Sequence, residues 1–113
     1  MSKPKSVGFR DTALADLRGF PPAAKREAGH QIDQVQKGHD LDNWKPMPPI
    51  GAGVCEIRIQ DAAGAFRVIY VAKFAGSIYV LHCFQKKTQK TSKTDIDLAE
   101  SRYRDLLKEL KGK

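Results

Sequence analysis

No stretch of this 113-residue chain approaches the roughly 18 consecutive apolar residues needed to cross a bilayer. The opening "MSKPKSVGFRDT" has no apolar signal core, so the expected location is the cytoplasm, with no membrane partner. Cysteine is scarce: Cys55 and Cys83 have no CxxC spacing and no flanking histidine cluster. Both read as small buried residues in strands, and with one strand between them they would sit about 10 Å apart, beyond disulfide reach. His30, His39 and His82 share no ligand spacing with an acid or a cysteine, so no metal site is expected. There is no Ser-His-Asp arrangement, no glycine-rich phosphate loop and no dinucleotide fingerprint, which leaves no small-molecule cofactor to expect.

What is present is positive charge. The formal net charge is +7, with eight basic and six acidic residues in 1–50 and twelve against seven in 51–113, a balance of +2 and then +5. A basic excess gathered in one half favours a polyanionic partner, nucleic acid before membrane, although solubility alone is the simpler alternative. The chain is long enough for one domain with one core, expected to span residues 1–113.

The apolar residues set out an α+β order. Asp11 reads as the N-cap of a short helix over 11–19, with Leu14 and Leu17 on one face. "GFPP" breaks it, Pro22 suits the first turn of a second helix, and Ala24, Ala28, Ile32 and Val35 share a face until Gly38 stops it. The two would make an N-terminal helical hairpin. Residues 39–53 hold three prolines and two glycines and read as a loop that Trp44 pins to the core. "VCEIRIQ" (54–60) then alternates, with Cys55, Ile57 and Ile59 opposite Glu56, Arg58 and Gln60. After the turn "DAAG", a second strand over 65–74 places Phe66, Val68, Tyr70 and Ala72 opposite Arg67, Ile69, Val71 and Lys73. "AG" (75–76) is a two-residue connection to a third strand over 77–84, completing an antiparallel meander. Thr94 and Asp97 suggest a capping box for a C-terminal helix, with Ile96, Ala99, Tyr103, Leu106, Leu107 and Leu110 on one face and Gly112 at its end. Helices packed on one side of this sheet would leave its second side open.

"HCFQKKTQKTSKTD" (82–95) is the unusual segment, with Lys86, Lys87, Lys90 and Lys93 within eight positions and no acid until Asp95. Arg58 and Arg67 stand in consecutive strands on the less apolar faces, and Lys73 shares Arg67's face. The bland reading of each arginine is a solvated strand residue or a partner for Glu56, and of the lysine run a solvated loop. Charged residues in neighbouring central strands more often meet an anion. Without paired acids such a cluster does not suit glycoside hydrolysis. It can grip a phosphodiester and stabilise a pentacoordinate transition state while RNA supplies its own 2′-hydroxyl nucleophile. Thr88, Gln89, Thr91 and Ser92 would add neutral phosphate donors.

"EIRI" (56–59), "FRVIYVAK" (66–73) and "YVLHCFQKKTQKTSKTDIDLAESRYRDLL" (79–107) resemble the RelE/HigB superfamily of toxins from bacterial type II toxin–antitoxin systems, in its phage-derived RelE-like branch. The resemblance covers about residues 8–110. It implies a small α+β fold, metal-independent cleavage of mRNA on the ribosome, and neutralisation by a cognate helix-turn-helix antitoxin. By position, Arg67 matches the strand arginine that contacts the scissile phosphate, Arg58 the basic residue of the preceding strand, and Lys86 and Lys87 the basic site ending the last core strand. Lys73, Lys90, Lys93, His82 and Tyr103 are the further RNA-contact candidates. One departure is plain: several members of that superfamily place a proton-transfer tyrosine or histidine near the C-terminus, and "KELKGK" after Leu107 has neither. Tyr103 then reads as core before catalyst, His82 as a satisfied sheet histidine, and the general acid and base are unassigned. A lysine could serve if neighbouring cations lowered its pKa. The alternative is a non-catalytic nucleic-acid-binding or co-repressor module. A third reading is an interaction protein whose basic face meets an acidic partner.

Overall fold

The computed structural model describes residues 4–39, 41 and 44–112. Its elements are β1 (Ser6–Phe9), α1 (Ala13–Arg18), α2 (Pro22–Gln36), β2 (Trp44–Pro46), β3 (Val54–Asp61), β4 (Gly64–Val71), β5 (Ser77–Lys86) and α3 (Lys93–Lys111). The five strands form one sheet in the order β1-β5-β4-β3-β2. The expected α+β class, helical hairpin, β3–β5 meander and C-terminal helix are all there. Two edge strands were not expected. β1 runs parallel to β5, and β2 adds antiparallel to β3, so the sheet is mixed. Within the segment expected as a loop, residues 40, 42 and 43 lie outside the described residues.

Alternation sorts the strands' side chains onto two cores. On one face Ile57, Ile59, Phe66, Val68, Tyr70, Ile78, Val80 and Cys83 bury against Ala13, Leu17 and Phe20 of the first helical segment and Ala24, Ala28 and Ile32 of α2. On the other, Val54, Ile69, Val71, Leu81 and Phe84 bury against Ala99, Tyr103 and Leu106 of α3. The second face is therefore not open along its whole length, as expected from helices on one side only. α3 covers it, because Ala99, Tyr103 and Leu106 recur at spacings of four and three and need a surface to bury. What stays uncovered is the part carrying Arg58 and Lys86.

A bulge in β5 decides what α3 meets. Ile69 pairs with His82 but Tyr70 pairs with Val80, so Leu81 is an extra residue with no partner in β4. Strict alternation would send His82 to the helical-hairpin side. The bulge instead turns both Leu81 and His82 toward α3, where His82 Nε2 lies 2.7 Å from Asp95 Oδ1. The Leu81 carbonyl accepts from Arg102 Nη1 at 2.9 Å, and Arg102 Nη2 donates to Thr12 Oγ1 at 2.9 Å. One buried guanidinium thus ties α3 to the bulge and to the entry of α1.

Several boundaries differ from expectation for local reasons. Thr12, not Asp11, precedes α1 as its N-cap, and Asp11 takes a positive φ of 52°. β4 ends at Val71, so the connection to β5 runs over 72–76 instead of two residues. β5 continues to Lys86, which places the first lysine of the run inside the sheet. The N-cap of α3 is Ser92, whose Oγ accepts from Asp95 N at 3.1 Å, and Thr94 and Asp97 fall inside the helix. Leu107 is exposed, and its place on the buried stripe is taken by Arg102. Trp44 is 44% exposed and does not pin its loop; Met47 and Ile50, both buried, do so.

That loop passes close to Tyr103, whose hydroxyl donates to Ala52 O at 2.8 Å. A Cβ at Gly51 would overlap the Tyr103 ring. Gly51→Ala is expected to displace the ring and cost about 1–3 kcal/mol in stability by thermal or urea unfolding. An unchanged unfolding midpoint would mean that the loop carries no packing restraint.

Candidate nucleic-acid interface

The register of the central strands brings the basic residues together. Arg58 lies directly opposite Arg67, and Arg67 opposite Phe84. One row on, toward the end of β5, Ala65 pairs with both Gln60 and Lys86. One row back, Lys45 of β2 pairs with Glu56. Because directly paired residues share a face, Lys45, Glu56, Arg58, Arg67 and Lys86 all point to the α3 side of the sheet.

These residues differ in access. Arg58 and Lys86 are half-buried, whereas Arg67 is enclosed and Glu56 has no exposed surface. Arg67 Nε lies 3.5 Å from Glu56 Oε1, and its Nη1 donates to the Phe66 carbonyl at 3.0 Å. Glu56 Oε2 accepts from Thr91 Oγ1 at 3.0 Å, which anchors the lysine-rich loop to the sheet. Two like charges directly opposite in a sheet repel, and a buried carboxylate beside them offsets that repulsion. Burial lowers the Arg67 pKa, with Arg58 acting in the same direction and Glu56 against it.

Over this corner lies a groove of about 410 Å³. Its polar lining is Lys45, Arg58, Lys86, Gln89, Lys90 and Thr91, with Met47 and Ile96 among its apolar residues and no acid. A larger concavity of about 670 Å³ lies on the opposite face beside Phe20 and Phe66, but it is lined by Asp16 and no cation. An anion is favoured in the smaller groove and not in the larger.

Lys86 is the groove's perturbed group. Partial desolvation lowers its pKa below the ordinary lysine value, and Arg67, Arg58 and Lys45 push it down further, with Glu56 opposing them. Desolvation and neighbouring cations thus act on Lys86 in the direction that favours proton transfer by a lysine.

The other sequence candidates are dispersed. Lys90 lines the groove, whereas Lys87 is exposed just past β5 and is not in the lining. Lys93 projects from the first turn of α3, 3.5 Å from Asp97. Lys73 lies beyond the end of β4, six residues or about 20 Å of strand from Arg67. Its ammonium sits 5.5 and 5.8 Å from the ring centres of Phe74 and Tyr103. Tyr103 is buried in the α3 core and its hydroxyl is held by Ala52 O. His82 is buried, held by Asp95 and stacked on Phe84 with ring centres 4.7 Å apart. Among the described residues, no three or more His, Cys, Asp or Glu side chains converge as metal ligands would. Sequence reasoning missed Lys45, which sits between Trp44 and Pro46 without any periodic signal. It also took Glu56 only as a possible partner for arginine, and Thr91 only as a neutral phosphate donor.

A mixed sheet with a helical hairpin on one face and a C-terminal helix crossing the other is the fold of RelE toxins. It matches a double arginine-to-alanine mutant of the E. coli toxin RelE in the free state with a TM-score of 0.62 and 10% identity, covering 90% of this chain and 97% of that one. A chain of the toxin–antitoxin complex RelBE2 from Mycobacterium tuberculosis matches with a TM-score of 0.55 and 21% identity, covering 76% and 95%. Residues 15–104 match the phage-derived Gp49-like proteins (DUF891), and the chain belongs to that family. No curated protein matches it in sequence.

The shifted lysine can be tested directly. A ¹³Cε NMR titration of Lys86 should give a midpoint below 10.5, the ordinary lysine value. Lys86 is therefore charged below that midpoint, and the groove loses this one of its cations as pH rises through it. Arg58→Met should move the midpoint upward, since Arg58 helps hold it down. A midpoint that ignores Arg58 would place Lys86 outside the cluster.

Proposed function

We propose that this chain is the toxin of a type II toxin–antitoxin pair, acting in the cytoplasm as an endoribonuclease on ribosome-bound mRNA. The observation that carries the reading is the acid-free groove, where Lys45, Arg58, Lys86 and Lys90 meet beside Arg67. The RelE fold and the Gp49-like family support it, and the M. tuberculosis neighbour is itself described in a toxin–antitoxin complex. The partner expected here is a cognate antitoxin of helix-turn-helix type.

The chemistry follows from the groups available. Attack of the RNA 2′-oxygen on the adjacent phosphorus forms the O2′–P bond and breaks P–O5′, leaving a 2′,3′-cyclic phosphate and a 5′-hydroxyl. Arg58 and Arg67 stabilise the added negative charge at phosphorus. Lys86 can donate the proton that the departing O5′ requires: it lines the groove as an ammonium, and its pKa lies below the ordinary lysine value. No metal or cofactor takes part in this scheme. A hydroxide or a phosphate oxygen accepts the 2′-hydroxyl proton, since His82 and Tyr103 are both committed to internal hydrogen bonds.

Those two commitments favour a second reading, a non-catalytic RNA- or DNA-binding module that acts as co-repressor with its antitoxin. It differs in one observable, salt-dependent binding without cleavage.

The test is induced expression in a bacterial host with 5′-end mapping of cellular mRNA. Wild type should arrest growth and produce new, codon-phased ends. Arg58→Ala and Lys86→Ala, both at half-exposed positions, should each slow cleavage by about 10²–10³. Arg67→Ala strands the buried Glu56 charge, a change that costs about 3–5 kcal/mol. Arg67→Lys is therefore the informative variant, keeping the charge while losing the planar fork. Growth arrest without new ends would move the target away from mRNA, and binding with neither would favour the co-repressor.

A further inference from the structure

The proposed chemistry leaves one group in the cluster without a task. Among the described residues, Glu56 is the one buried carboxylate, and it lies among the cations of the groove. A surface made only for affinity would omit it, because a carboxylate weakens attraction for a polyanion. Nor does it serve as a base toward bound RNA here, since none of its surface is exposed.

Its contacts indicate another task. One oxygen faces Arg67 Nε at 3.5 Å, and the other accepts from Thr91 Oγ1 at 3.0 Å. Glu56 Oε1 and Arg67 Nε are both enclosed, and neither has a formed hydrogen bond. Their attraction is thus a charge contact with slack in it. Arg67 Nη1 is taken by the Phe66 carbonyl, so two of the three guanidinium nitrogens are engaged from the protein side. Nη2 has no partner among the described residues and is not one of the enclosed, unsatisfied atoms. Thr91, through which Glu56 reaches the loop, also lines the groove next to Lys90.

Resting on the reading of this groove as an RNA site, we propose that Glu56 is a positioning residue. It orients the Arg67 guanidinium from the buried side and, through Thr91, fastens the lysine-rich loop to the same point. Strand and loop cations then meet a phosphodiester as one preset arrangement, with Arg67 Nη2 directed to it. The loss of anion attraction is the cost of that geometry.

The experiment compares wild type, Glu56→Gln and Thr91→Val in three measurements. The first is the ¹H–¹⁵N signal of Arg67 Nε–H, assigned by its loss in Arg67→Lys. The second is binding of a non-cleavable 2′-deoxy oligonucleotide, and the third is kcat and KM for mRNA cleavage on ribosomes. Glu56→Gln removes the charge but keeps an acceptor for Thr91. It should shift and broaden the Arg67 signal and bind the oligonucleotide at least as tightly as wild type. Its kcat should fall by about 100-fold, as misorientation does. Thr91→Val, a change at a half-buried loop position, should speed amide exchange across residues 87–92 and lower kcat with the sheet intact. An unchanged Arg67 signal in folded Glu56→Gln, or full kcat with tighter binding, would reduce Glu56 to a plain counter-charge and overturn the proposal. If Glu56→Gln does not fold, an Arg67 signal and loop exchange unchanged in Thr91→Val overturn it instead. If wild type neither binds nor cleaves RNA, the functional reading fails, while the Arg67 signal still decides whether Glu56 orients it.

Discussion

The demand that shapes this protein is electrostatic: two arginines face each other across neighbouring strands in the middle of a sheet. Their repulsion would be unfavourable in any fold that dries them both. The chain meets it by enclosing Glu56 on the same face and keeping Arg58 partly in water. Much else follows from that choice. α3 cannot lie over the whole face, because Arg58 and Lys86 need solvent. The lysine-rich loop must return across the sheet so that Thr91 can satisfy the second oxygen of Glu56. The groove is the space this compromise leaves between helix, loop and sheet.

The bulge at Leu81 solves a separate problem with a similar economy. β5 must offer apolar residues to the helical hairpin along most of its length, yet also give α3 a footing. One inserted residue changes the phase of the strand midway. Ile78 and Val80 serve one core, and Cys83 returns to it after Leu81 and His82 have both faced the other. Arg102 then accepts the duty of satisfying the carbonyl that the insertion left aside.

The elements with a repeating pattern were readable from the sequence. Alternation assigned residues 55–60 and 66–71 to their observed faces, and the spacing from Ala24 to Ile32 gave α2 its buried stripe. The Arg58–Arg67 encounter could be anticipated as a shared face, though not as a direct pair, because register depends on the turn at 62–63. β1 was missed because four residues with a single parallel neighbour carry no periodicity of their own. β2 was missed because three residues paired only with β3 are too few to show alternation, and Lys45 was missed with it. The bulge has no sequence signature at all, so the side on which His82 falls was not derivable. The enclosure of Glu56 also depended on tertiary packing: nothing in "EIRI" shows that its first residue, Glu56, will be sealed from water while its third, Arg58, stays partly wet.

β1 also has a temporal meaning. Ser6 pairs with Ser77, a separation of 71 residues (77 − 6), and the Arg102–Thr12 bond spans 90. Contacts this distant in sequence form late, because the loop between them must close before any of its pairing is rewarded. The meander of β3, β4 and β5 has short connections, so its pairings close over much shorter loops. Residues 6–9 are thus placed only after the much later strand they pair with has been made. They wait for strand β5 before the sheet acquires the edge they form, and Thr12 waits further for the helix that carries Arg102.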